Sequence, residues 1–347
     1  MLESVGWLRF HPIACIDNAV GDSVSTPRIT VVGSYATGLT LKVRRFPSAG
    51  ETVLASGYRV DFGGKGSNQA VGCARLGAQV AFVARIGKDN FGRMALRLYR
   101  EEGIETKFIQ QSSQQPTGVG FILVESGSGN NCIALDPGAN ELLSPADLAE
   151  CDSSFENARV VLTQLEIPVE AAEAALARGR SRGAMTILNP APVRPLPESL
   201  LELVDVLTPN QTEAKVLTGR DPETHAEPET IARDLLRAGV RKVVMTLGER
   251  GALIVSRSTV KHVPAVEVRC VDSTGAGDAF NAGLATALAW GENLDDAVEF
   301  AVVTGGLAVT KEGVIPSLPT REFVAQFYRG WGKRPPGWLM QREHAGA

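Results

Sequence analysis

Aromatic residues make up only 6% of this 347-residue chain, there are four histidines, and the net charge is −4. No apolar run approaches the ~18–20 residues that would span a bilayer, so a soluble protein is expected. With 35 basic against 39 acidic side chains and no polybasic run, the chain has no electrostatic footprint for nucleic acid or an anionic membrane. Cysteine is scarce too: Cys15, Cys73, Cys132, Cys151 and Cys270 are dispersed, without C-x-x-C spacing. That argues against a zinc site and a disulfide framework, and for reduced thiols in a cytoplasmic protein. Glu3, Arg9, His11, Pro12 and Asp17 interrupt the first twenty residues, which do not read as a secretory signal.

What the chain does contain is apolar residues, 44%, and glycine, 36 copies, enough for one sizeable core. Residues 1–27 lack a clear period and are read as an N-terminal extension. Beyond them, short apolar runs alternate with helical patterns. Arg28–Ser34, Gln79–Arg85, Arg159–Leu165, Met185–Leu188, Leu203–Leu207 and Lys242–Leu247 read as buried strands. Gly66–Leu76, Asn90–Glu102, Val169–Arg178, Gln211–Leu217 and Pro228–Ala238 read as helices. Such alternation predicts an α/β fold, a doubly wound, mostly parallel sheet with helices on both faces, over residues 28–330. Residues 39–62 and 117–136 alternate like strands without helices between them, and are expected to form a small β-sheet lid that excludes water. The last stretch, 331–347, with Pro335-Pro336, is expected to pack loosely.

Three stretches carry chemistry. Asp272-Ser-Thr-Gly-Ala-Gly-Asp278 follows a strand-like run, Ala265–Val271, and opens a small-residue helix. Its glycines allow the amides of Gly275, Ala276 and Gly277 to point outward at the helix start, a natural anion site. A carboxylate there repels phosphate, so Asp278 needs another task, and the fitting one is general base toward an alcohol attacking a phosphoryl group. A helix N-cap is the plain alternative. A Rossmann fingerprint is disfavoured by the missing third glycine and the late position. The second stretch, Asp61-Phe-Gly-Gly64-Lys65-Gly-Ser-Asn68, lacks Walker spacing but places glycines beside the donors Lys65 and Asn68, as a polyhydroxy ligand requires. The third, Asn210-Gln-Thr-Glu213, forms either a capping box or a holder of hydrated magnesium. Thr246-Leu-Gly248 adds a glycine turn that is weak by itself.

Taken in order, Gly33-Ser34, Gly63-Gly-Lys-Gly-Ser-Asn68, Asn210-x-x-Glu213, Thr246-Leu-Gly and Asp272-x-x-Gly-Ala-Gly-Asp278 resemble the PfkB carbohydrate kinases, most closely the ribokinase branch. The resemblance also takes in Pro116-Thr-Gly-Val-Gly, Asp136-Pro-Gly-Ala-Asn140, Gln164-Leu-Glu166 and Asn189-Pro-Ala-Pro192. It implies transfer of the ATP γ-phosphoryl group to a terminal sugar hydroxyl, ribose to ribose 5-phosphate first. Asp278 would be the base and Gly275–Gly277 the anion hole. Gly64, Lys65, Asn68 and Glu166 would hold sugar hydroxyls, while Asn210, Thr246 and Gly248 would approach the nucleotide. Glu213 would order Mg²⁺ through water; Asp272, Thr274, Val309, Gly313 and Ser317 would surround K⁺; and two chains would pair through their lids. One departure stands out: Ala36 and Gly38 occupy positions where ribokinases carry Asn and Asp toward the sugar. Another sugar, a nucleoside or a keto-deoxy acid is therefore the alternative substrate, and a non-catalytic sugar-binding regulator the alternative class.

Overall fold

The computed structural model describes residues 25–340. In chain order the first strands are β1 (Arg28–Val32), β2 (Ala36–Val43), β3 (Ala55–Gly63), β4 (Gln79–Gly87), β5 (Ile109–Ser112), β6 (Gly118–Glu125) and β7 (Asn131–Asp136). They are followed by β8 (Ala158–Thr163), β9 (Met185–Leu188), β10 (Val206–Leu207), β11 (Lys242–Thr246), β12 (Ala252–Val255) and β13 (Val260–Val263). The helices are α1 (Lys65–Arg75), α2 (Asn90–Glu101), α3 (Pro145–Glu150), α4 (Val169–Ser181) and α5 (Glu198–Leu201). After them come α6 (Gln211–Leu217), α7 (Pro228–Arg237), α8 (Ala276–Ala289), α9 (Leu294–Ala308) and α10 (Arg321–Trp331).

Nine strands make one sheet, in the order β13-β12-β11-β10-β9-β8-β1-β4-β5, parallel except for the β11-β12-β13 edge. Both faces are covered, and successive residues of the central strands divide between them. Val80, Phe82, Ala84 and Ile86 of β4 join one apolar cluster with α1, α8 and α9, while Ala81 and Val83 join another with α4 and α7. Continuous apolar runs are what a strand buried on both sides requires. From β1 the chain goes to β4 on one side and to β8 on the other, so the order reverses there. A crevice opens beyond the carboxyl ends of strands at such a reversal.

A second sheet, β3-β2-β6-β7, is built from two insertions, β2-β3 between β1 and α1 and β6-β7 between β5 and α3. Several of its large apolar side chains are exposed: Tyr58, Phe121, Ile133 and Leu135.

Two expectations need correction. Ala265–Val271 is extended but joins no strand; the ladder ends at β13, and Val271 and Asp272 instead donate their amides to the Val309 carbonyl. The stretch after Trp331 is loose only in part: Gly332, Lys333 and Arg334 are exposed, but its end is docked. Trp338 and Leu339 are buried, and the Trp338 indole stacks on Trp290 at 5.5 Å, with Phe300 edge-on at 5.0 Å. Burial of one indole outweighs the prolines before it. The extension at 1–27 lies outside the described residues apart from 25–27.

Candidate active site

The helix α8 starts on Gly275, whose φ of 82° lies in the left-handed region. A side chain there would also collide with Val314, 2.7 Å from where its Cβ would sit. The turn thus requires glycine, and it leaves the first-turn amides of α8 without helical partners. Ala276 turns its amide back toward the Ser273 carbonyl at 3.3 Å, while a Cβ on Gly277 would meet nothing within 4 Å. Gly277 therefore fronts open space. A cavity of about 940 Å³ lies before it, bounded by Asn210, Thr246, Gly248, Ala276, Gly277 and Val309 among the expected residues. Val266, Val268, Phe280, Val302 and Gly306 add an apolar wall that no sequence motif marked. That volume falls in the range of small-molecule and cofactor pockets.

On the other side of the α8 start stands Asp278, 6% exposed. Two donors from α1 hold it: Asn68 Nδ2 donates to Oδ2 at 2.8 Å and Gln69 Nε2 donates to Oδ1 at 2.9 Å. A buried carboxylate needs such partners. The α1 helix is brought this close by glycine packing. Gly64 has φ of 88°, and a Cβ there would lie 2.7 Å from the Tyr35 backbone. Gly66 approaches the Gly33-Ser34 turn just as tightly. Glu166, beyond β8, accepts from Ser34 Oγ at 2.5 Å and from the Lys65 amide at 2.8 Å, both on Oε2. Among the described residues no donor reaches Oε1, so that oxygen remains for a ligand hydroxyl. Asn68 Oδ1 is likewise buried without a partner.

Charge in the cleft is lopsided. Burial presses the Lys65 ammonium toward neutrality, but Asp278, Glu166 and Glu213 outweigh it, and its pKa lies above the ordinary lysine value. Burial pushes the Glu213 carboxyl above the usual glutamate value; the Asn210 amide and Lys65 pull it down, and Asp278 adds to the rise. Three carboxylates thus act on one ammonium in the cleft. Asn210 and Glu213 do form the reciprocal capping box, with both bonds at 2.8 Å on Asn210 Oδ1 and Glu213 Oε2. That box fixes Glu213 at the cleft and leaves its other oxygen unused. Thr246 sits beside it, donating its amide to the Pro209 carbonyl at 3.0 Å.

The remaining expected group lies around Asp272, whose oxygens accept amides from Thr274 at 2.9 Å and Gly313 at 3.0 Å. Burial would raise its pKa, but these bonds and Arg59 bring it below the ordinary aspartate value. Val309 accepts the Asp272 amide at 3.2 Å from the end of α9, while Ser317, further along the following loop, donates its hydroxyl to the Val314 carbonyl at 2.8 Å. Among the described residues no group of three or more His, Cys, Asp or Glu side chains is placed to hold a metal ion.

Residues 26–321 match the model of the pfkB family of carbohydrate kinases. The chain is 36% identical over 302 residues to the ribokinase of Haemophilus influenzae, covering 86% of this chain and 97% of that one. It is 34% identical over 295 residues to the deoxyribokinase of Salmonella typhi, covering 85% and 96%. Among solved structures, that of Arabidopsis thaliana ribokinase complexed with ribose and ATP superimposes with a TM-score of 0.81 at 30% identity, covering 87% and 98%.

Proposed function

We propose, from the premise that this chain belongs to the pfkB family of carbohydrate kinases, that it transfers the γ-phosphoryl group of ATP to the terminal hydroxyl of a small sugar, ribose first. The observation that carries the chemistry is Asp278: a buried carboxylate beside the amide-rich start of α8, with both oxygens fixed. Asp278 takes the proton of the sugar hydroxyl as that oxygen bonds to the γ-phosphorus. The bond from that phosphorus to the bridging oxygen breaks, and ADP leaves. The amides of Gly275 and Gly277, joined by that of Ala276 once it leaves the Ser273 carbonyl, receive the charge that builds on the transferring group.

Gly64, Lys65, Asn68 and Glu166 are assigned to the sugar; the unpartnered Asn68 Oδ1 and the unused Glu166 oxygen support this. Asn210, Thr246 and Gly248 are assigned to the nucleotide because they line the cavity. Mg²⁺ fits the excess of carboxylate at Glu213, held through water, and when bound it neutralises phosphate charge. K⁺ is assigned to Asp272 and Thr274 with the backbone carbonyls of Val309, Gly313 and Ser317, an oxygen-only set suited to a hard cation.

The ribose assignment draws on the ribokinase relatives. A specific observation also favours a second reading, a kinase for another sugar, a nucleoside or a keto-deoxy acid. Gly38 lies opposite Asp61 in the β2-β3 ladder, and that carboxylate is taken by Arg59 at 2.6 Å. Ala36 and Gly38 themselves offer a hydroxyl no side-chain donor or acceptor. Release of ADP across ribose, deoxyribose, fructose, psicose, nucleosides and keto-deoxy acids decides between them: ribose fastest supports the first reading, and a ribose rate well below another's overturns it. Asp278→Asn is expected to abolish turnover while ATP affinity stays within a few-fold, checked by calorimetric titration; full activity would remove Asp278 from its role.

The exposed apolar side chains of the second sheet support its role as a lid and a homodimer joined through it. A cytoplasmic setting accords with the four free thiols among the described residues.

A further inference from the structure

Behind Asp278 lies a run of buried amides to which the sequence motifs assign no role. Gln69 is fully buried, as is Gln164, and Asn189 is nearly so. Gln164 Nε2 donates to Gln69 Oε1 at 2.5 Å. Gln69 Nε2 in turn donates to Asp278 Oδ1 at 2.9 Å and to Asn189 Oδ1 at 3.2 Å. Asn189 passes its own amide to the Thr208 carbonyl at 3.2 Å, the Thr208 hydroxyl donates to Asn281 at 2.6 Å, and Asn281 returns to the Gly277 carbonyl at 2.8 Å. The circuit starts and ends on the first turn of α8, one residue apart.

Its polarity is fixed by chemistry. A carboxylate can only accept, so Gln69 must turn its nitrogen toward Asp278, and both N–H groups are then spent on Asp278 and Asn189. Its oxygen is left for Gln164. A half-turn of the Gln69 amide would set oxygen against carboxylate and nitrogen against nitrogen.

Resting on the reading of Asp278 as the base, we propose that Gln69 is a positioning residue for the reaction: it clamps Oδ1 from the interior, so that Oδ2 is the oxygen presented to the alcohol. Gln69 touches neither sugar nor nucleotide; it acts only through Asp278. Orientation of a reacting group within a fraction of an ångström is worth large factors in rate, and supporting hydrogen bonds supply that orientation.

The test compares Gln69→Leu, Gln69→Glu and Asp278→Asn for melting temperature, kcat and KM. Gln69→Leu is expected to lower kcat about 10- to 100-fold with KM for sugar and ATP within a few-fold. Gln69→Glu keeps size and packing and still accepts from Gln164, so it decides the matter if the leucine variant does not fold. It places a second carboxyl against Asp278. The acid limb of its pH–rate profile should move to higher pH, because two adjacent carboxyls hold a shared proton. The charged groups that face Asp278 across the cleft, Lys65 on α1 and Glu213 on α6, with Glu166 beside Lys65, are unchanged in both variants. Folded variants with wild-type kcat and an unmoved pH profile, beside an inactive Asp278→Asn, would overturn the proposal for Gln69 and leave the base intact. An active Asp278→Asn would instead overturn the base.

Discussion

At the level of single residues, Gly277 gives the sharpest prediction. Ala in place of Gly inside a helix contributes about 1 kcal/mol, and the new methyl meets nothing of the protein within 4 Å. Gly277→Ala should therefore melt no lower than the parent. Its methyl nevertheless enters the space where the γ-phosphoryl group is proposed to sit, so kcat/KM for ATP should fall about tenfold or more. Thermal denaturation and ADP release on the same sample check both halves; unchanged turnover would count against the anion hole. Asp278, Asn68 and Lys65 were legible in the sequence because a lone acid or donor beside glycines needs an explanation. The contacts of Gln69, Gln164 and Asn189 were not, since a polar side chain carries no sign in the sequence of which distant group it meets. The Asn210–Glu213 pair was ambiguous for a physical reason: the capping box and the cleft-facing carboxylate are both present, made by one side chain.

At the level of elements, α8 is wedged between α1 and α9 by small residues. A Cβ on Gly72 would stand 2.6 Å from that of Ala282, and one on Gly283 would stand 2.1 Å from Thr304 Oγ1. Thr304 cannot simply turn aside, because its hydroxyl donates to the Ala279 carbonyl at 3.0 Å. Gly283→Ala should thus destabilise by about 1–3 kcal/mol despite the better helix propensity, a loss readable in urea denaturation. Thr304→Ala in the same background should recover part of it by removing the oxygen that the new methyl meets. Strand and helix positions were largely visible from apolar runs, since both faces of the sheet are covered. The hairpin β12-β13 was not, because Ser256-Arg-Ser-Thr259 lacks the glycine or asparagine that marks a tight turn. Ala265–Val271 misled for the opposite reason: its residues line the cavity, Ala265 to Val268 in succession, and pair with no strand.

At the level of the whole molecule, the cleft draws side chains from Ser34 to Ser317, so it exists only once both sheets and the α1-α8-α9 layer are assembled. The second sheet is tied to the far side of the cleft by Arg59, which bridges Asp61 at 2.6 Å and Glu312 at 3.0 Å. These charges are half exposed, and such pairs contribute little in water. The apolar surface of that sheet is the stronger feature: Phe121 is 55% and Ile133 58% exposed. Replacing both with Asp should convert a dimer to a monomer in sedimentation velocity; a parent chain that sediments as a monomer at micromolar concentration would refute pairing through the lid. The departure at Ala36 and Gly38 was readable in the sequence. That Asp61 has one carboxylate oxygen bound to Arg59 required coordinates.

The bond from Asn68 to Oδ2 of Asp278 has a consequence for thrift. Without sugar, the oxygen proposed to accept the proton is capped by an amide within a buried site, and stray water finds no free base. Only a hydroxyl that displaces Asn68 uncovers it. On the proposed chemistry, the resting enzyme is expected to squander little ATP on hydrolysis, the side chain that greets the substrate serving as the safety catch.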